Sequence, residues 1–177
     1  MKEQQVLTVM VKNHAGVLAR VSSLFGQRGY NIESLTVSAT DDPLISRMTV
    51  VVEGDEDTMR QVIQQTAKLQ ETIDVYLLPQ GKSLYRELLL IKLEANDQTR
   101  SAIHEVCDIY GAQIIDLSVS TMVIELTGTP QKLDAFMEVI RRYPIVEICR
   151  TGATALERGL PKGYQLTLPG QTPTSND

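Results

Sequence analysis

Residues Lys12 to Asp41 read KNHAGVLARVSSLFGQRGYNIESLTVSATD, which describes a strand end, a helix, a helix stop and a second strand. Val17, Leu18, Val21, Leu24 and Phe25 fall on one stripe at helical spacing, which predicts a helix from near Gly16. Arg28 sits in its last turn, and Gly29 supplies a residue that can turn left-handed and end it. Asn13 to Gly16 therefore lie where the first helical amides point outward with no backbone partner. Such a terminus favours an anion, and Gly16 has no side chain to keep a ligand's carboxylate away. Asn31 opens the next strand and can both donate and accept hydrogen bonds. These residues point to a small-molecule pocket with affinity for carboxylates, and not to catalysis.

The plan of this stretch recurs. GYNIESLTVS, from Gly29, matches GAQIIDLSVS, from Gly111, at a constant offset of 82 positions: Ile32 with Ile114, Leu35 with Leu117, Val37 with Val119, Ser38 with Ser120. The surroundings repeat too. In the first half a strand at Val6 to Val11 precedes the Gly16 helix. Strands from Asn31 to Ala39 and Ile45 to Glu53 follow, then a helix starting at Asp55 and a strand from Thr72 to Leu78. In the second half a strand at Glu87 to Ala95 leads to a helix capped by Asn96 or Asp97. Strands near Gln113 to Ser120 and Met122 to Thr127 come next, then a helix opened by Thr129-Pro130 and a strand from Ile145 to Arg150. Each half is βαββαβ, the split βαβ order of ferredoxin-like folds, so the chain is an α+β protein of two tandem units. The boundaries expected are 4–79 and 84–158, joined by Pro79-Gln80-Gly81-Lys82-Ser83, with 159–177 a flexible tail rich in glycine and proline. Leu7, Val9 and Val11 alternate with Val6 and Met10, so both faces of that strand are apolar. Part of the helix-free face, or an edge, should therefore be buried by another copy of the unit.

Composition narrows the function. The 177 residues are 42% hydrophobic and 22% charged, as in a soluble globular protein. The net charge of −5 argues against nucleic acid, whose phosphates need a basic face. No run approaches the roughly 20 apolar residues of a membrane span, and MKEQQ lacks a signal-peptide pattern, so a cytoplasmic protein is expected. Cys107 and Cys149 sit in apolar-periodic segments and read as buried free thiols in a reducing compartment.

The chemistry of an enzyme is missing. No nucleophile elbow, P-loop or dinucleotide fingerprint occurs. His104 and Cys107, at i and i+3, would let two ligands share a metal, but no further ligands lie nearby and the pair belongs to an ordinary amphipathic helix. Glu53, Asp55, Glu56 and Asp57 coincide with a helix start, where they complement its dipole. An RNA-binding module of this fold would need aromatic residues on central strands; Phe25 and Phe136 both lie on helical stripes. A small phosphatase would need an anion loop with an arginine, for which Arg20 with Asn13 and Asn31 make an incomplete set.

Asn13-His14-Ala15-Gly16-Val17-Leu18, followed by Asn31-Ile32, resembles the ligand loop of ACT domains, ferredoxin-like modules that bind amino acids. FGQRGYNIESLTVSATDDPLISRMT, from Phe25 to Thr49, is similar to the N-terminal ACT domain of acetolactate synthase small subunits. GAQIIDLSVS, KLDAFMEVIR from Lys132 and RTGATALERG from Arg150 extend the resemblance to Gly159. It implies a regulatory subunit without catalysis of its own and without a cofactor or metal in this chain. The partner implied is a catalytic large subunit that uses thiamine diphosphate, Mg²⁺ and FAD to condense two pyruvates, or pyruvate with 2-oxobutyrate, in branched-chain amino-acid synthesis. It also implies activation of that partner, feedback inhibition by valine, and a homodimer through the ACT domains with the effector at their interface. The effector positions carried over are Asn13, Gly16, Val17, Leu18, Asn31 and Ile32. The alternative is a free-standing amino-acid sensor acting on another protein.

Overall fold

A computed structural model describes residues 3–159. The expected tail from Leu160 onward lies outside the described residues. The first unit comprises β1 (Glu3–Lys12), α1 (Val17–Gln27), β2 (Ile32–Ala39), β3 (Ile45–Gly54), α2 (Glu56–Thr66) and β4 (Thr72–Leu77). The second comprises β5 (Ser83–Glu94), α3 (Arg100–Tyr110), β6 (Gln113–Leu117), β7 (Thr121–Gly128), α4 (Pro130–Ile140), β8 (Ile145–Arg150) and β9 (Thr154–Glu157). The sheets run β2-β3-β1-β4 and β6-β7-β5-β8, antiparallel throughout, which is the ferredoxin-like order twice.

Local chemistry sets the helix ends. Asp55 caps α2, its carboxylate accepting from the Thr58 amide at 2.8 Å and hydroxyl at 2.7 Å. Those bonds hold the Asp55 carboxyl below its ordinary range, and Glu56 and Asp57 complete an acidic first turn. Thr129 caps α4 with Pro130 at its first position. The expected side-chain cap of α3 is displaced: Thr99 is its N-cap residue, and Asn96 instead accepts from the Gln98 and Thr99 amides in the preceding turn. Gly29 and Gly111 end α1 and α3 with positive φ, 71° and 65°.

Each sheet has its own core on the helical face. Leu7, Val9, Val11, Met48, Val50 and Val52 pack under Val17, Val21, Phe25, Met59 and Val62. Leu89, Ile91, Leu93, Met122, Ile124 and Leu126 pack under Ile103, Val106, Leu133, Phe136 and Ile140. Cys107 is buried as expected, and burial pushes its thiol up to about 11, the neighbouring Asp108 adding to the shift. Cys149 is exposed, because β8 is an edge strand whose six residues are all exposed.

The helix-free face of the first sheet is covered, but by no whole unit. β5 begins before the second sheet does, and Ser83 to Arg86 pair with β9 in a short ribbon. Residues 152–155 lie against β2 and β3, and Ala153 and Ala155 are buried there. Beneath this arm Thr8 and Thr49 are fully shielded on adjacent strands. The expected cover is thus a segment of the second unit that sequence reading did not identify as a strand.

Candidate functional site

The β1–α1 loop is built by glycine and by a crossing hydrogen bond. Gly16, at φ 88°, is the N-cap of α1, and no side chain caps this terminus. Among the described residues a Cβ placed on Gly16 would meet nothing within 4 Å, so they leave the approach to the helix start open. Among the described residues the amides of Ala15, Gly16, Leu18 and Ala19 have no hydrogen-bond partner. Four N–H groups on one short stretch form a ready receptor for a carboxylate.

Asn13 ties this loop to the β2–β3 turn. Its amide donates to the Leu44 carbonyl at 2.7 Å and its Nδ2 donates to the Pro43 carbonyl at 2.8 Å. That leaves its Oδ1 as an acceptor. Asn31 is alike: its Nδ2 donates to Glu33 Oε1, leaving its own oxygen. Two amide oxygens and the Glu33 carboxylate suit an ammonium group, as the loop amides suit a carboxylate. Glu33 and Leu44 escaped the sequence reading. Glu33 follows Asn31 on β2, and Leu44 belongs to the β2–β3 turn.

The structure does not bring the two asparagines together within one chain. Asn13 lies where β2 ends, since Ala39 and Val11 both pair with Ser46. Asn31 precedes the start of β2, whose Ile32 pairs with Val52 near the other end of the sheet. The strand between them spans about 23 Å at 3.3 Å per residue. β2 is also one of the sheet's two edge strands, with one edge unpaired among the described residues. Leu18, 44% exposed, and Leu44, 73% exposed, stand at the loop end. Val37, on the same strand edge, is partly exposed as well. Val17 is only 3% exposed and faces the core, so it supports the loop from within and does not line its surface. Ile32 is half-buried against the same core, and His14 is exposed.

Arg20 pairs with Glu71, so its guanidinium is already engaged and the phosphatase set stays incomplete. A cleft of about 1070 Å³ lies between the units, away from this loop. On its wall Arg150 joins the buried Glu87 and, at 2.6 Å, Asp134. Burial disfavours the charge of Arg150, but the bonds to Asp134 and Glu87 outweigh that and hold its pKa above the ordinary range. Among the described residues no group of three or more histidine, cysteine and acidic side chains is placed to hold a metal. No helix among them is long and apolar enough to cross a membrane.

The two units match two family models. Residues 7–74 match the ACT domain described as small-subunit-like for AHAS, and residues 86–159 match the small subunit of acetolactate synthase. The chain is 46% identical over 156 residues to a probable acetolactate synthase small subunit of Archaeoglobus fulgidus, covering 88% of this chain and 98% of that one. It is 44% identical over 157 residues to the acetolactate synthase isozyme 3 small subunit of Escherichia coli, covering 88% and 96%. The crystal structure of an acetolactate synthase small subunit from Thermotoga maritima superposes with a TM-score of 0.84 at 33% identity, covering 90% of this chain and 99% of that one.

Proposed function

The chain belongs to the family of acetolactate synthase small subunits, and from that premise we propose that it is a regulatory subunit that binds valine and passes the signal to a catalytic partner. In this reading it performs no catalysis and holds no cofactor. Thiamine diphosphate, Mg²⁺ and FAD belong to the large subunit, which it activates and makes sensitive to feedback inhibition in the cytoplasm.

One observation carries the reading: the Asn13–Gly16 loop and Asn31 sit at opposite ends of an open edge strand. Antiparallel pairing of β2 with its copy places the Ile32 end of one strand beside the Ala39 end of the other. Asn31 of the partner subunit then meets the Asn13–Gly16 loop. The open amides take the effector's α-carboxylate, the asparagine oxygens take its ammonium, and Leu18 with Ile32 wall the isopropyl group. Such a site exists only in the side-by-side dimer. Residues 4–79 form the effector-binding domain in this reading. Residues 84–158, whose equivalent loop lacks the Asn-x-x-Gly pattern, carry activation.

Titration calorimetry with valine, leucine, isoleucine and an unrelated amino acid, beside sedimentation of the same samples, tests this. A saturable heat for valine in a dimer, lost in Asn13→Ala and in Asn31→Ala alike, supports it. A dimer that binds none of them overturns the effector site. A truncation ending near Gly81 that still activates the large subunit fully would overturn the assignment of activation to residues 84–158.

A further inference from the structure

Apart from the bonds at the linker and the Tyr85 hydroxyl beside it, which donates to the Leu78 carbonyl, the hydrogen bonds described between the two units land on β2 or on Arg47 of β3. Thr36 Oγ1 donates to the Ala153 carbonyl at 2.9 Å, and the Ala153 amide donates to Ser34 Oγ at 3.4 Å. Arg47 Nη2 donates to the Ala155 carbonyl at 2.9 Å and to Thr8 Oγ1 at 3.0 Å, while Nη1 donates to the Tyr76 hydroxyl at 3.2 Å. One guanidinium thus ties β3 to β1, to β4 and to the β9 arm. Among the described residues no carboxylate pairs with it. Its bonds all go to neutral oxygens, whose positions it depends on.

The same hairpin is gripped at its turn by the effector loop. Asn13 holds the carbonyls of Pro43 and Leu44, and β3 begins at Ile45, two residues before Arg47. β2 and β3 pair continuously from Ser34–Val51 to Ala39–Ser46, so the hairpin moves as one body. Its turn touches the effector loop and its face touches the second unit. A ligand that draws Asn13 toward itself displaces the turn, and the displacement reaches the arm through Thr36 and Arg47.

We propose that Arg47 is a positioning residue that couples effector occupancy in the first unit to the arm of the second, residues 152–157. The proposal rests on the effector reading above and adds to it the route by which the catalytic partner is informed. Lysine cannot replace this arginine, because a point donor does not reach three acceptors on three elements at once. Thr36 is the secondary tie, and its loss should act in the same direction with less effect.

The test uses the holoenzyme reconstituted with its catalytic subunit, and compares Arg47→Ala, Arg47→Lys and Thr36→Val with the unsubstituted chain. Two quantities are read for each: calorimetric valine affinity of the small subunit, and valine inhibition of pyruvate condensation. The result expected for both arginine variants is affinity within about threefold of the parent and activation retained. The half-inhibitory valine concentration rises at least about tenfold, inside the 5- to 150-fold range of ordinary site-to-site coupling. Parent-like inhibition in both arginine variants overturns the coupling and leaves the effector site standing. Loss of valine binding in a variant that still melts like the parent also overturns it, because Arg47 would then shape the site itself. If the unsubstituted chain binds no valine, the effector reading falls and the coupling falls with it. Thr36→Val guards against a folding defect: it is nearly isosteric, and inhibition unchanged there and in Arg47→Lys defeats the proposal without reference to Arg47→Ala.

Discussion

Gly16→Asp separates the charge of the proposed site from its shape. Gly16 has φ 88°, and aspartate is among the non-glycine residues that tolerate the left-handed region, at a cost of about 1 kcal/mol. Its Cβ meets nothing within 4 Å, so no steric cost adds to that and the variant should fold. The new carboxylate caps α1, accepting from the Leu18 or Ala19 amide, and so occupies donors that the effector needs. It also faces the effector's carboxylate. Two unit charges about 4 Å apart at an effective dielectric near 20 repel by about 4 kcal/mol, which corresponds to roughly a thousandfold in affinity. Salt screening at this exposed loop lowers that figure, so valine should bind between ten and a thousand times more weakly. Gly16→Asn has the same shape and the same capping ability without the charge. Calorimetry at pH 7 in low and high salt, with a thermal melt to verify the fold, reads the difference. Aspartate should be the weaker binder, and the gap between the two should narrow in salt. A folded Gly16→Asp that binds valine within threefold of the parent refutes the placement of the carboxylate. Equal losses in the two variants refute the electrostatic part alone.

Gly152 should be intolerant of any side chain. It has φ 80°, and a Cβ there would lie 2.7 Å from the Ser34 Cβ, so Gly152→Ala combines backbone strain with overpacking. We expect a loss of about 2–4 kcal/mol in urea unfolding, part of it recovered by Ser34→Gly. No coupling between the two substitutions would mean that the arm does not rest on β2. The thiols should separate by chemistry: alkylation of the native chain at pH 8 should label exposed Cys149 and spare Cys107. The folded pKa of Cys107, about 11, is raised above the ordinary 9.0, so its contribution to stability is whole below pH 9 and is lost as pH rises through 11. Unfolding free energies at pH 8 and pH 11, in the parent and in Cys107→Ala, check the sign; a parent that loses no more stability between the two pH values than its variant does would refute it.

Where periodicity was strong, the fold could be read in advance. The stripe Val17, Val21, Phe25 and its counterpart Ile103, Val106, Cys107 bury as their spacing requires, and Gly29 and Gly111 mark both helix ends. What escaped depends on contacts distant in sequence. β9 is Thr-Ala-Leu-Glu, with too little apolar character to declare a strand; Ala155 within it and Ala153 just before it are buried where Arg47 and Thr36 hold the arm from the other unit. Cys149 lies in an apolar run with Ile145, Val146 and Ile148, which suggests burial, yet the run sits on a sheet edge. Periodicity does not distinguish an edge strand from a central one. The candidate site divides in the same way. The Gly16 terminus is local and legible, whereas the separation of Asn13 from Asn31 follows only from the direction of β2.

The two units share a fold but not a binding loop, and the difference lies in which amides are already used. At the offset of 82, Gln98 stands for Gly16 and Arg100 for Leu18. The Gln98 amide donates to Asn96 Oδ1 at 3.0 Å, and the Arg100 amide donates to the Asn96 carbonyl at 3.0 Å. The Arg100 side chain then folds back onto Asp97 and the Ser118 carbonyl. The second loop has turned its donors on itself, and the place of Asn13 is taken by the buried Ala95. Only the first loop keeps four free amides and an asparagine that reaches the neighbouring turn. Under the proposed function, the first unit receives the effector's carboxylate and the second does not. The valine stoichiometry should accordingly be one per chain, two per dimer. A calorimetric stoichiometry of two per chain would show that the self-satisfied loop opens for ligand and that occupied donors do not close it.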